Sequence, residues 1–74
     1  MSATTPERLA RMANQIAANL GHEDDPVAAT ADHIVSFWTP AMREQLIATG
    51  FDGLSERARA AMERVAATQG ADAG

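Results

Sequence analysis

Asp32-His33-Ile34-Val35-Ser36-Phe37-Trp38-Thr39-Pro40-Ala41-Met42-Arg43 reads as two helical segments with a forced break between them. A residue that precedes proline is driven out of the helical region by the ring. Thr39 must therefore leave the first helix, and it is also the right residue to begin a second. Its hydroxyl can accept a hydrogen bond from the first turn, and proline is favoured at the first helical position. One helix ends and the next begins within two residues, so the spacing predicts a tight corner. The stretch holds the chain's single tryptophan and one of its two phenylalanines. A large aromatic removes roughly 150–250 Å² from water when buried, so the corner should dominate either the core or a contact with a partner. Two arrangements fit the spacing. If Trp38 lies in line with Ala31 and Ile34, Phe37 falls beside the stripe and faces outward as a docking anchor. A short helix enclosed at the corner would instead bury both.

The same cap-then-proline signature recurs on the N-terminal side of the corner, at Thr5-Pro6 and Asp25-Pro26. The first predicts a helix whose apolar stripe is Leu9, Met12, Ala13, Ile16, Ala17 and Leu20, closed by Gly21 in a left-handed conformation. The second predicts a helix carrying Val27, Ala31, Ile34, Val35 and Trp38. Beyond the corner, a short helix runs through Met42, Leu46 and Ile47 to Gly50, with Phe51 folding back on its last turn. Asp52-Gly53 is a turn signal. Leu54 and Ser55 open a fourth segment with Ala58, Ala61, Met62 and Val65 on one face. No alternating run of β-branched residues is long enough for a strand. The predicted fold is all-α, a small bundle of three to four short helices. It divides into a flexible N-terminus over 1–4, a single helical domain over 5–69 and a disordered tail over 70–74.

A chain of 74 residues without cysteine has neither a disulfide nor a thiolate metal site to staple it. A chain of this size buries only about 60% of the surface its unfolded form exposes, and alanine at many stripe positions adds little apolar area. The expectation is a marginal monomer stabilised by docking. Net charge is −4, and all six basic residues are arginine. An acidic domain disfavours nucleic acid as a partner. Arginine without lysine suits protein interfaces, although the 17 alanines make GC-rich codon usage an equal explanation. No apolar run approaches the ~20 residues needed to span a bilayer, and no charged segment precedes a hydrophobic one at the N-terminus. A cytoplasmic protein without a membrane partner is expected.

The residues name no reaction. His22 and His33 lack a second ligand at helical spacing, and the acidic connection Glu23-Asp24-Asp25 is explained by a helix N-terminus that favours negative charge. Asp32 and His33 are adjacent on a helix and do not face each other. Ser36 and Ser55 have no candidate base nearby, and the glycines form no phosphate loop. Catalytic, cofactor-binding and metal-ligating residues are each predicted to be none.

Met12-Ala13-Asn14-Gln15-Ile16, then Ala31-Asp32-His33-Ile34, then Phe37-Trp38-Thr39-Pro40-Ala41-Met42-Arg43 occur in an order and at separations that resemble the delta subunit of NAD-dependent formate dehydrogenase. The resemblance runs from about Thr5 to Val65. It departs at Thr39, where the family often has aspartate, and at Ala41, where it often has a basic residue. After Gly50 it rests mainly on Gly53-Leu54 and an arginine-rich helix. The resemblance implies a non-catalytic accessory subunit of a cytoplasmic complex. The larger subunits of that complex carry a molybdenum or tungsten pterin, iron–sulfur clusters, FMN and NAD, while this chain binds no cofactor. Its expected partner is the catalytic alpha subunit, with cofactor-maturation factors as a further class. The expected partner-binding residues are Phe37, Trp38, Pro40, Met42 and Arg43, joined by Met12, Asn14 and Gln15 on the first helix. Asn14 and Gln15 are included because amides beside an apolar stripe can bond a partner backbone. Two alternatives stand beside this reading. One is a transient chaperone for molybdenum cofactor insertion, and the other is a small helical DNA-binding regulator, which the acidic charge opposes.

Overall fold

The computed structural model describes residues 5–73, with side chains through residue 68. Four helices follow one another: α1 (Pro6–Asn19), α2 (Pro26–Phe37), α3 (Pro40–Ile47) and α4 (Glu56–Ala73). The all-α expectation holds. The segment 1–4 lies outside the described residues. Helix α4 continues to Ala73, past the start of the tail expected over 70–74. Alanines are the best helix formers, and those flanking Gly70 favour its continuation.

All three proline starts are built as the sequence implies. Thr5 Oγ1 accepts from the Arg8 N–H at 3.2 Å, Asp25 Oδ1 from Ala28 at 3.1 Å and Thr39 Oγ1 from Met42 at 3.2 Å. Ser55 serves α4 in the same way, its Oγ accepting from Ala58 at 3.3 Å. Each bond satisfies one of the N–H groups that a helix start leaves without an intrahelical acceptor.

Helices α2 and α4 share the largest interface, α1 packs across both, and α3 closes the bundle against α1 and α4. The buried set comprises Leu9, Ile34, Trp38, Leu46, Met62 and Val65 together with six alanines, Ala10, Ala13, Ala17, Ala31, Ala58 and Ala61. The whole predicted face of α4 is buried. Alanines let backbones approach closely but remove little apolar area at about 25 cal/mol per Å², so the core is thin.

Four details differ from the sequence reading. The buried strip of α1 is rotated toward Ala10, which leaves Met12 38% exposed at its edge. On α2, Thr30 is fully buried and Val35 is exposed. Thr30 is tolerated because its hydroxyl donates to the Pro26 carbonyl at 2.7 Å, so no polar group is orphaned. Helix α3 ends at Ile47, and Thr49 and Gly50 then donate to the carbonyls of Leu46 and Ile47 at 3.1 and 3.0 Å. Gly50 and Phe51 both have positive φ, at 73° and 66°. This reversal turns Phe51 back against the core.

The fourth detail is Gly21, which is not left-handed. Among the described glycines only Gly50 and Gly53 have positive φ, and α1 ends at the Leu20 cap. The small size of Gly21 has a different consequence. A Cβ there would sit 2.6 Å from Arg57 Nη1, and that guanidinium donates to the Ala17 carbonyl at 3.0 Å. Arg57 thus crosses the end of α1 and satisfies a C-terminal carbonyl that the helix leaves open.

Candidate functional site

The corner between α2 and α3 separates the two adjacent aromatics. Helix α2 stops at Phe37, and Trp38 turns to an extended backbone with φ −92° and ψ 144°. The change of conformation sends Trp38 inward, 6% exposed, and leaves Phe37 outward, 73% exposed. Of the two arrangements open to the sequence, the structure adopts the one that buries Trp38 and turns Phe37 outward. Ser36, Phe37, Thr39, Pro40 and Ala41 form an exposed knuckle around the buried indole.

Phe37 is supported from below. Its ring lies 4.5 Å from that of His33, centroid to centroid, at an interplanar angle of 35°. The two residues are one helical turn apart, where side chains meet. His33 is itself half-buried, so the phenyl ring has one ring contact on its inner side and is otherwise open to solvent. The sequence reading missed His33 as part of this surface, although the i, i+4 spacing to Phe37 could have found it. Val35, read as core, lies on the opposite side of α2. It lines a shallow groove against α4 of about 180 Å³, together with Ala28, Ala31, Asp32, Arg64, Val65 and Thr68.

The other expected contact residues separate by role. Pro40 is exposed, and Met42 is half-buried against the core. Arg43 is half-buried, and its Nε lies below the surface without an acceptor among the described residues. Asn14 belongs to the fold. Its Nδ2 donates to the Gly53 carbonyl at 3.0 Å, and its Oδ1 accepts from the Ser55 N–H at 2.8 Å. It therefore bonds a backbone, but its own chain's, and it fastens the α3–α4 connection to α1. Gln15 is exposed and donates to Asn19 Oδ1 at 3.2 Å. Phe37, Pro40 and Arg43 come together at the corner, whereas Met12 and Gln15 present themselves on α1.

Among the described residues no group of three or more His, Asp or Glu side chains is placed to hold a metal ion. Two pairs among the described residues are exposed, His22 beside Glu23 at 3.2 Å and Arg59 with Glu63 at 3.8 Å. Pairs of this kind contribute little. No described helix is long and apolar enough to cross a membrane.

The profile of a family described as NADH-dependent formate dehydrogenase delta subunit, FdsD, matches residues 8–62 of the chain. This chain belongs to the FdsD family. No match was found among curated proteins or among solved structures. The FdsD match takes in most of α1, the corner, the α3–α4 connection and α4 as far as Met62. Phe37, its His33 support and Arg43 all fall inside it. The α4 wall of the groove, formed by Arg64, Val65 and Thr68, lies beyond it.

Proposed function

We propose that this FdsD-family chain is a non-catalytic accessory subunit that docks on the catalytic alpha subunit of a cytoplasmic NAD-dependent formate dehydrogenase, and that it stabilises the complex or assists its assembly. The observation that carries the reading is Phe37. In a chain with three aromatic residues, one is 73% exposed and is braced by a ring beneath it. Apolar burial in a folded monomer would place such a side chain inside. An exposed aromatic with a ring contact beneath it and Pro40 and Ala41 beside it at the corner has the form of an interface anchor, and such anchors carry most of the binding energy of the contacts they make. Met12 and Gln15 form a companion surface on α1. The pterin, iron–sulfur, flavin and nicotinamide chemistry belongs to the larger subunits, and this chain's contribution is mechanical.

The thin core fits the same role. A chain that binds a partner only when folded is stabilised by the binding free energy, so docking supplies what six core alanines do not. The test is to purify the host's formate dehydrogenase with and without the tagged chain, measuring formate oxidation, molybdenum or tungsten content and subunit composition. The chain is expected in the active, metal-loaded complex. Recovery solely with metal-free alpha subunit would indicate a transient maturation chaperone, and recovery with neither would overturn the docking reading.

A further inference from the structure

The groove between α2 and α4 has an apolar floor and oppositely charged walls. Ala31 and Val65 are buried at its base, and Val35, also in its lining, is 43% exposed. Asp32 stands on the α2 wall and Arg64 on the α4 wall. Both are exposed, and among the described residues no ion pair joins them to each other or to a third residue. A second copy of this chain answers that pattern. Two identical surfaces meet face to face about a two-fold axis, and the two charges decide which axis is allowed. Because Asp32 and Arg64 line one groove from opposite sides, an axis running along it lays the α2 wall of each copy over the α4 wall of the other. Asp32 then meets Arg64 twice. An axis running across the groove lays like walls over each other, and the resulting like-charge contacts are unfavourable.

We propose that the α2–α4 groove is a self-association surface, closed in a two-fold dimer of this chain in which Asp32 of each copy pairs with Arg64 of the other. The attraction comes from covering Val35 and the apolar floor. The charge pairs chiefly fix the orientation, since exposed pairs contribute little on their own. The net charge of −4 on each copy opposes association, but at physiological ionic strength this repulsion is screened beyond about 8 Å. Val35 and Phe37 are about 200° apart around α2, so the dimer leaves both Phe37 knuckles free. Self-association therefore goes beyond the docking reading and presents two anchors in one particle.

Sedimentation equilibrium of the full chain at an ionic strength of about 0.15 M tests this. Two short helix faces make a small interface. The mass is expected to rise from 7.8 kDa toward twice that value, with a Kd on the order of 10–100 µM. Asp32→Arg and Arg64→Glu each set like charges at both contacts and should weaken association at least about 30-fold. Their melting temperatures at high dilution should stay within error of the parent's, because neither side chain has an ion pair in the free chain to lose. Mixed in equal amounts, the two variants restore opposite charges at every contact and should associate about as tightly as the parent. A parent that stays monomeric to about 1 mM would overturn the proposal. So would single variants that self-associate like the parent, or a mixture that associates no better than either variant alone. If the parent is monomeric and both variants lose affinity for formate dehydrogenase complex prepared without the chain, the groove receives that complex and the dimer is refuted.

Discussion

Asn14 and Trp38, both expected at a contact with a partner, are taken up by the fold because the chain places its own atoms opposite them. Asn14 spends both ends of its amide on Gly53 and Ser55, 39 and 41 residues away in sequence. That role could not be read from α1 alone, because the partners are backbone atoms of a loop whose position only the tertiary fold sets. Asn14→Ala leaves two backbone groups without their partner, and is expected to cost about 1–3 kcal/mol of stability in chemical denaturation. Trp38→Ala removes the largest buried side chain of the corner, at a cost of roughly 3–5 kcal/mol. A chain of this length has a total stability of roughly 4–11 kcal/mol, so the variant should show a substantial loss of helical circular dichroism at 37 °C. Phe37→Ala should leave that signal and the melting temperature within error of the parent, because the ring it removes is mostly in water. The sequence made this contrast legible as a choice between two arrangements. What it lacked was the extended backbone at Trp38, which settles the choice.

At the scale of elements, the helix starts were the most legible features. Thr5, Asp25 and Thr39, each followed by proline, encode their own positions through local bonds. Ends depend on neighbours and were read less well. Gly21 suggested a left-handed cap, yet it is its small size that matters, leaving room for Arg57 arriving from α4. Gly21→Ala and Arg57→Ala should each cost about 1 kcal/mol. Because both act on the same bond to Ala17, one by crowding the guanidinium and the other by removing it, a double-mutant cycle should show the combined loss to be smaller than the sum. Thr39→Ala is expected to lower stability by about 1 kcal/mol through loss of the α3 cap. Thr39→Asp should preserve it, since a carboxylate can accept the same bond and suits the positive end of a helix. Matched urea titrations of the two variants check the pair.

For the whole molecule, the four-helix architecture followed from the apolar spacing, but the pairing of the helices did not. The α2–α4 contact is the most extensive, and faces built on small buried residues, Ala31 on α2 and Ala58 and Ala61 on α4, do not announce which stripe they meet. The same faces explain why the account predicts a fold that gains from its partner. At a partner concentration of about 100 times Kd the gain is about 2.7 kcal/mol. This corresponds to a rise of roughly 10–20 °C in the chain's melting temperature, measurable by following hydrogen exchange of core amides in free and bound chain. The candidate contact surface was only partly legible. Its aromatic was visible, but its residues had to be sorted by burial and by bonds that join distant segments. The most direct test of the central claim is the affinity of folded Phe37→Ala for the catalytic subunit. A loss of about 2–4 kcal/mol with an unchanged melt of the free variant is the predicted result, and parental affinity would contradict the account.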